Sequence, residues 1–266
     1  MTSSAEIGVF GGSGFYEWLG ATETVELDTP YGPTSAPVAL ATVGGRSLAF
    51  LPRHGVGHRI PPHAVNYRAN LWAMRELGVS RIIGPSAVGS LRADLHPGEV
   101  VICDQFVDRT RGRADTFYPG PEVVHVSAAD PYCPELRGLA ASAASSQGIA
   151  HHESGTIVVV QGPRFSSRAE SRWFSRMGWD VVGMTQYPEV ILARELEICY
   201  LGLSLVTDYD VGLEGLTEIG PVEAHDVVRV LEANIGRVRR LLSALIPTIP
   251  RTPNCECQLA LKGARM

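Results

Sequence analysis

Two aspartates with the spacing Asp-x-Asp, Asp208 and Asp210, end an apolar run that begins at Ile198. The run shows little polar alternation, which is typical of a strand buried on both faces, and ligands of open α/β sheets lie beyond the carboxyl ends of such strands. Side chains two residues apart in an extended chain point to the same side. The pair therefore predicts two carboxylates that converge on one polar group of a ligand. For an isolated pair, a solvated loop or a helix cap is the competing interpretation.

Groups suited to an oxyanion follow two other predicted strands. The turn Gly11–Gly14 offers backbone N–H groups, and Ser13 within it adds a hydroxyl donor. Arg53 has a planar guanidinium that fits phosphate, and His54 beside it is expected to add a donor. Each segment alone is a weak signal. The glycine turn does not match the dinucleotide fingerprint G-x-G-x-x-G, and an Arg-His pair in a loop is commonly only solvated.

The elements that must position these residues alternate along the chain. Strands are predicted at residues 6–10, 37–43, 46–51, 80–84, 99–103, 155–161, 180–184 and 198–207. Helices are predicted at 62–77, 134–150, 167–177, 190–196 and 222–246. Gly44-Gly45 is predicted to form the hairpin turn between the second and third strands, residues 85–91 a small-residue turn, and residues 104–118 a polar loop. This order predicts a single α/β domain over residues 1–266, with a central mixed β-sheet flanked by helices and a C-terminal tail from about residue 250.

One predicted helix has a clear start signal. Ser167 and Glu170 have the S-x-x-E spacing of a capping box, and that structural role is sufficient for both residues. Phe165 and Ser166 precede the cap and are therefore freer to face a ligand. For Phe165, a hydrophobic staple against the helix is an equally good interpretation.

Composition excludes several classes of protein. With 266 residues and 45% hydrophobic content, the chain can fill a sizeable core. Twenty-three basic and 28 acidic residues give a net charge of −5 without a basic block, so no nucleic-acid partner is expected. The sequence has no apolar run of membrane-spanning length and no signal-peptide pattern at its start. A cytoplasmic protein without a membrane partner is therefore predicted.

The cysteines do not form the pattern of a secreted disulfide framework, because their number is odd: Cys103, Cys133, Cys199, Cys255 and Cys257. Cys199 lies in the apolar run and is predicted to be a small core residue. Cys255 and Cys257 have a spacing unlike the usual C-x2-C ligand pair, and no second pair lies near them in the sequence. No metal site and five free thiols are therefore expected.

Taken in series, the loops at the strand ends resemble those of one family. The matching segments are residues 11–14, 52–55, 161–166, and 183–185 with Pro188-Glu189. They resemble the trimeric purine nucleoside phosphorylases, in the same order, from Ile7 to about Ile249. Within that family, residues 162–170 and the Thr-Asp-Tyr-Asp of residues 207–210 are most similar to the S-methyl-5′-thioadenosine phosphorylase branch.

The resemblance implies a pentosyltransferase that needs no cofactor. Inorganic phosphate is the co-substrate and attacks C1′ of S-methyl-5′-thioadenosine, which yields adenine and 5-methylthioribose 1-phosphate in purine and methionine salvage. The partners implied are the small-molecule nucleoside and phosphate, with a homotrimer or a dimer of trimers as the assembly. The C-x-C pair at the C-terminus is similar to an element that forms disulfides in some thermophilic relatives, although free thiols are expected here.

The same resemblance assigns residues to roles. The phosphate would be held by Ser13, Arg53, His54, Ser86, Ala87 and Thr185. Asp208 would be the catalytic acid at N7 of the purine, with Asp210 as its partner that accepts from the 6-amino group. Other substrate contacts are implied for Phe165, Ser166, Met184 and Val228, and for His125 of a neighbouring subunit.

Alternative functions remain open on the sequence. The S-methyl-5′-thioadenosine phosphorylase branch usually has Asn at the position of Gly183. Enzymes that act on 6-oxopurines have Gly there, as this chain does. Ala224 and His225 at the start of the last helix are compatible with a 5′-methylthio and a 5′-hydroxyl group, respectively. The first alternative is a broader purine nucleoside phosphorylase that acts on adenosine, inosine or methylthioinosine. The second is a non-catalytic nucleotide-binding module, which would leave Arg53 and the aspartates without a role.

Overall fold

The computed structural model describes residues 4–12, 16–20, 23–213 and 220–266. Its strands are β1 Ile7–Gly11, β2 Glu23–Val25, β3 Val38–Val43, β4 Arg46–Pro52, β5 Arg81–Ser90, β6 Val100–Ile102, β7 Gln105–Arg109, β8 His151–His152, β9 Thr156–Val160, β10 Val181–Gly183 and β11 Cys199–Tyr209. Its helices are α1 Tyr16–Leu19, α2 Tyr67–Glu76, α3 Pro134–Ser146, α4 Arg168–Arg176, α5 Gln186–Glu195 and α6 Ala224–Leu245. Short 3-10 turns cover Pro62–Ala64, Ile246–Thr248 and Glu256–Leu259.

The strands form one mixed sheet, which confirms the predicted fold class. The main path is β2-β3-β4-β1-β5-β10-β9-β7, and β11 joins it beside β5, with β6 and β8 beyond. Strands β4, β1, β5 and β11 run parallel, whereas β10 is antiparallel to β5. The carboxyl ends of β4, β1 and β11 therefore point the same way.

Strand β11 is buried on both faces, as its apolar run predicted. Tyr200 and Val206 pack into the core that also contains side chains of α2 and α5. Leu201 and Leu203 pack into the opposite core, to which α3 and α6 contribute. Helices thus cover both sides of the sheet around this strand, and its last residues emerge at an edge of the core.

Two local predictions are confirmed in detail. Gly44 and Gly45 both have positive φ, at 56° and 76°, in the tight turn that joins the antiparallel strands β3 and β4. Ser167 accepts from the backbone N–H of Glu170, and the Glu170 carboxylate accepts from the backbone of Ser167, so the capping box of α4 is complete.

Two predictions of irregular structure were wrong. The predicted turn from residue 85 onward is the second half of β5, because β11 pairs with it from Leu203 opposite Pro85 to Tyr209 opposite Ser90. The predicted polar loop starts with β7, an edge strand that pairs with β9. An edge strand tolerates polar side chains on its open side, so its sequence lacks the buried-strand pattern.

None of the helices in the described ranges is long and apolar enough to span a membrane.

Candidate active site

Arg53, the residue after β4, is buried and held by three acceptors. Its side chain is 4% exposed and forms a two-pronged ion pair with Glu189, in which Nη2 lies 3.0 Å from Oε2. Its Nη1 donates to the carbonyl of Pro85 at 3.0 Å. Glu189 also accepts from the Tyr200 hydroxyl at 2.6 Å. Burial alone would lower the pKa of Arg53, but the Glu189 carboxylate raises it, so the cation is permanent.

The guanidinium of Arg53 still has N–H donors that can bind a ligand. Arginine has five N–H donors, and the contacts with Glu189 and Pro85 use three of them. One N–H on each terminal nitrogen has no acceptor among the described residues. A fixed cation with two unused donors is suited to bind an oxyanion without rearrangement.

His54 presents a hydrogen-bond acceptor, whereas a donor was predicted. Its Nδ1 lies 2.8 Å from the carbonyl of Ile60, and its ring stacks on His58 with centroids 4.3 Å apart. Burial, followed by the charge of Arg53, lowers the pKa of His54 to about 4, so the ring is neutral at pH 7. Because a carbonyl only accepts, Nδ1 carries the proton and Nε2 is an acceptor. His54 can therefore bind a protonated oxygen of a phosphate, and the expectation of a donor is corrected.

The imidazole of His54 is expected to titrate near pH 4, well below the ordinary value of about 6.5. Because the folded state binds this proton less readily than the unfolded chain, the stability that His54 contributes is present above pH 6.5 and is lost as pH falls towards 4. Proton NMR of the ring Cε1–H measures the midpoint, with the His54→Gln variant to assign the signal. A midpoint near 6.5 would contradict the neutral acceptor role.

The other residues predicted to bind phosphate lie beside Arg53 along β5 and the start of α5. The Nε2 of Gln186 donates to the Ser86 hydroxyl at 3.3 Å, which brings the residue after Thr185 against β5. Thr185 is 5% exposed and is the N-cap residue of α5, yet its side chain makes no cap hydrogen bond. Ala87 follows Ser86 and is half-buried. Ser13 lies outside the described residues.

Asp208 and Asp210 lie on the same side at the end of β11, as their spacing predicted. A β-bulge between Val206 and Asp208 places Asp208 opposite Gly89 of β5. A Cβ atom added to Gly89 would lie 3.1 Å from Oδ2 of Asp208 and 3.6 Å from Cβ of Asp210. The missing side chain at Gly89 therefore leaves room for the carboxyl pair.

The environment favours a proton on one of these carboxyls. Burial and, to a smaller extent, the charge of Asp210 raise the pKa of Asp208 to about 6, against the opposing effect of the Thr207 hydroxyl, which donates to Oδ1 at 2.7 Å. Burial also raises the pKa of Asp210, whereas hydrogen bonds from the Ser171 and Ser166 hydroxyls oppose that rise. Oδ2 of Asp210 is buried and has no hydrogen-bond partner among the described residues. The pair combines an acid near neutral pH with an unused acceptor.

Ser166 lies beside this pair, and Met184 lies beside the loop that leads to Ser166. Ser166 contributes a hydroxyl to Asp210, and Met184 packs so closely against Gly162 that a Cβ there would be 2.7 Å from the methionine sulfur. A cavity of about 350 Å³ adjoins Ser166 and is also lined by Gly162, Arg164, Glu170 and Trp173. A larger opening of about 470 Å³, lined by residues between Glu26 and Pro37, includes none of the predicted site residues.

Three predicted substrate residues are exposed in the single chain. Phe165 is 37% exposed and Val228 is 50% exposed. His125 is also exposed, and its backbone N–H bonds to the carbonyl of Ala264 in the C-terminal tail at 2.8 Å. The described residues of one chain therefore do not enclose these three side chains.

The two groups of polar residues are arranged along one strand. Ser86, next to the Arg53 cation, and Gly89, next to the carboxyls, are three residues apart on β5. At a rise of about 3.3 Å per residue, this separates the two groups by about 10 Å. A ligand with an anion at one end and a polar ring at the other can lie between them.

Sequence reasoning missed the residues that support the site. Glu189 is 1% exposed and neutralises Arg53, and Gln186 is fully buried between the hydroxyls of Ser86, Ser204 and Tyr132. Both are buried polar residues in the first turn of α5, whose buried face also contains Glu195 at its other end, with apolar residues between them. A carboxylate on the buried face of a helix predicts a cationic partner nearby, because a buried charge needs a partner.

Comparison with known proteins identifies the family. The Phosphorylase superfamily matches residues 6–247, so the fold is that of a phosphorylase and the chain belongs to that superfamily. It is 52% identical to the S-methyl-5′-thioadenosine phosphorylase of Thermofilum pendens, over 97% of this chain and 98% of the relative. It is 51% identical to the purine nucleoside phosphorylase of Streptomyces coelicolor, over 97% and 95% of the two chains.

A solved structure is similar along the entire fold. The methylthioadenosine phosphorylase of Schistosoma mansoni in complex with adenine superposes with a TM-score of 0.92 at 34% identity, over 99% of each chain.

Proposed function

We propose that this protein catalyses phosphorolysis of S-methyl-5′-thioadenosine to adenine and 5-methylthioribose 1-phosphate. The observation that carries the proposal is the carboxyl pair at the end of β11, where Asp208 has a pKa of about 6. It is supported by the names of relatives about half identical over nearly the whole chain. Purine and methionine salvage is the corresponding role.

Phosphate is the attacking group in this mechanism. Arg53 would neutralise and orient it with the two donors that Glu189 and Pro85 leave unused, and neutral His54 would accept from its protonated oxygen. The hydroxyls of Ser86 and Thr185, the backbone at Ala87, and Ser13 would complete the cradle. Such preorganised groups lower the barrier because they need no rearrangement as C1′ gains oxocarbenium character.

The purine is the leaving group and needs a proton at N7. Protonated Asp208 would donate that proton, since a carboxyl with a pKa near 6 holds it at neutral pH more often than an ordinary aspartate does. Asp210 would accept from the 6-amino group through its unpartnered Oδ2. A 6-oxo group facing a carboxylate would leave two acceptors unpaired, so a 6-aminopurine is favoured.

A broader purine nucleoside phosphorylase is the second candidate, because one close relative has that name and Gly183 is shared with 6-oxopurine enzymes. The lack of space beside Gly183 argues that no side chain at this position contacts the base. A Cβ there would lie 2.9 Å from Ile157 and 3.2 Å from Val88, so an asparagine would not fit without displacing them. Base choice is therefore assigned to Asp208 and Asp210.

A subunit interface would complete the ribose end of the site. The backbone at Met184, together with Phe165 and Ser166, would contact the ribose and base. Val228 on α6 and His125 from a neighbouring subunit would close over the 5′-methylthio group, which agrees with their exposure in the single chain. A homotrimer, or a dimer of trimers, in the cytoplasm is proposed as the working form, with one domain over residues 1–266 and no cofactor.

Rates with three nucleosides test the proposal. With saturating phosphate, kcat/KM is expected to be highest for S-methyl-5′-thioadenosine, lower for adenosine and lowest for inosine, measured by chromatography of the released base. Samples without phosphate are the control and should release none. Highest activity with inosine would instead support the broader phosphorylase, and release without phosphate would indicate a hydrolase.

A further inference from the structure

Four of the five cysteines lie together at the end of β11 opposite to the aspartates. Cys133 is the N-cap residue of α3, Cys199 begins β11, and Cys255 and Cys257 lie in the C-terminal tail. Their sulfur atoms all lie within 4.8 Å of one another, and Cys255 Sγ is 3.4 Å from Cys199 Sγ and 3.7 Å from Cys133 Sγ. The tail pair has no second pair near it in the sequence, but Cys133 and Cys199 lie beside it in space.

We propose that these four cysteines bind one zinc ion. Four thiolates around tetrahedral zinc, each about 2.3 Å from the metal, place their sulfur atoms about 3.8 Å apart. The separations of Cys255 from Cys199 and Cys133, 3.4 and 3.7 Å, are close to that value. Three of the four residues are buried and Cys255 is half-buried, so the site is closed to further ligands, as structural zinc sites are.

Positive potential near the cluster suits the net charge of −2 of a zinc tetrathiolate. Cys133 lies at the N-terminus of the 13-residue helix α3, where the helix dipole stabilises an anion, and its side chain caps no backbone N–H. Arg81 is the register partner of Cys199 and is 1% exposed. Its Nε and Nη1 have no hydrogen-bond partner among the described residues.

Arg81 also connects the segments that carry the cysteines. Its Nη2 lies 3.4 Å from the Glu135 carboxylate, two residues after Cys133, and 3.4 Å from the carbonyl of Pro250, five residues before Cys255. Arg81, the register partner of Cys199, is thus a buried cation with two nitrogens that lack a partner among the described residues, and thiolates bound at the cluster would place negative charge near it.

The site would act on stability rather than on catalysis. Zinc binding to four thiols forms four zinc–sulfur bonds and releases four protons to solvent, with no transfer of electrons. The ion would join the tail to β11 and α3. Cys199 and Asp208 are nine residues apart on one strand, or about 30 Å, so the metal lies far from the proposed chemistry.

The proposal is tested by the metal content of the full-length chain. The protein is expressed with added zinc and purified under a non-coordinating reductant. Wild type is expected to contain about one zinc per chain, and the Cys257→Ser and Cys133→Ser variants almost none. Cys103→Ser is the matched control, since Cys103 is buried and lies outside the cluster, and it should keep the metal. Replacement of zinc by Co²⁺ in wild type should give thiolate-to-cobalt charge-transfer absorption, which does not depend on how the variants fold.

Several results would overturn the site. A reduced wild-type chain that stays free of zinc and shows no cobalt charge-transfer band would do so. Equal zinc retention by Cys257→Ser and Cys103→Ser would exclude the tail pair as ligands. Fewer than five thiols in denatured wild type that was purified without reductant, with a mass loss of two hydrogens per missing pair, would assign the cluster to disulfides. None of these readouts depends on nucleoside turnover.

Discussion

The Asp208→Asn variant is expected to lose about 10²- to 10⁴-fold in kcat/KM for S-methyl-5′-thioadenosine. Activity is lost because an amide cannot transfer a proton to N7 of the leaving adenine. An amide does offer an N–H donor and a carbonyl acceptor, so inosine should gain relative to adenosine. Steady-state kinetics with these three nucleosides measure both effects.

Asp208→Asn should also stabilise the fold at pH 8. The folded-state pKa of about 6 is above the ordinary value of 3.8, so the folded chain binds more protons between these values. The free energy of unfolding that depends on this group therefore falls by about 3 kcal/mol as pH rises from about 4 to about 6, and it stays at the lower value above pH 6. The variant lacks this penalty. Urea unfolding at pH 4 and pH 8 should show a gain only at the higher pH.

Asp130→Asn is the matched control, because Asp130 is an exposed aspartate that the proposed mechanism does not use. It should leave the kinetics unchanged. Asp208→Asn with activity within tenfold of wild type, or with an unchanged preference for 6-amino over 6-oxo nucleosides, would exclude Asp208 as the acid.

The Arg53→Met variant is expected to lose about 3–5 kcal/mol of unfolding free energy, because it leaves Glu189 as a buried charge without its partner. The KM for phosphate should rise by about 10- to 100-fold, the value of one or two lost charge-assisted hydrogen bonds. Urea unfolding and initial rates at varied phosphate concentration give the two quantities separately.

A double variant separates the structural and functional roles of Arg53. Arg53→Met with Glu189→Gln removes the unpaired charge but keeps the hydrogen bond from Tyr200, so part of the stability should return. The defect in phosphate binding should remain. Arg240→Met, at an exposed position on α6, is the control. Recovery of the phosphate KM in the double variant would mean that Arg53 only balances Glu189.

The sequence predicted well what depends on local pattern. The unbroken apolar run of β11 predicted a strand covered on both faces, and the Asp-x-Asp spacing predicted carboxyls on one side. The glycine pair of the β3–β4 turn and the capping box at Ser167 were equally readable, because turn and cap geometry is set within a few residues.

What the sequence could not predict arises from pairing across the chain. Strand β5 continues past Pro85 because β11, more than 100 residues later, lies beside it. Glu189 is a partner of Arg53 only once α5 packs against β5 and β11, and the neutral state of His54 follows from burial next to Arg53. The cysteine cluster depends in the same way on where the tail returns to the core.

Phosphorus NMR of the purified protein with S-methyl-5′-thioadenosine and inorganic phosphate tests the central claim most directly. The proposed function predicts a new signal of sugar 1-phosphate, with one molecule formed for each molecule of adenine. The signal of free phosphate falls by the same amount. Adenine without a sugar phosphate would indicate hydrolysis. Neither product from this nucleoside, with active turnover of inosine, would contradict the assignment of base specificity to Asp208 and Asp210.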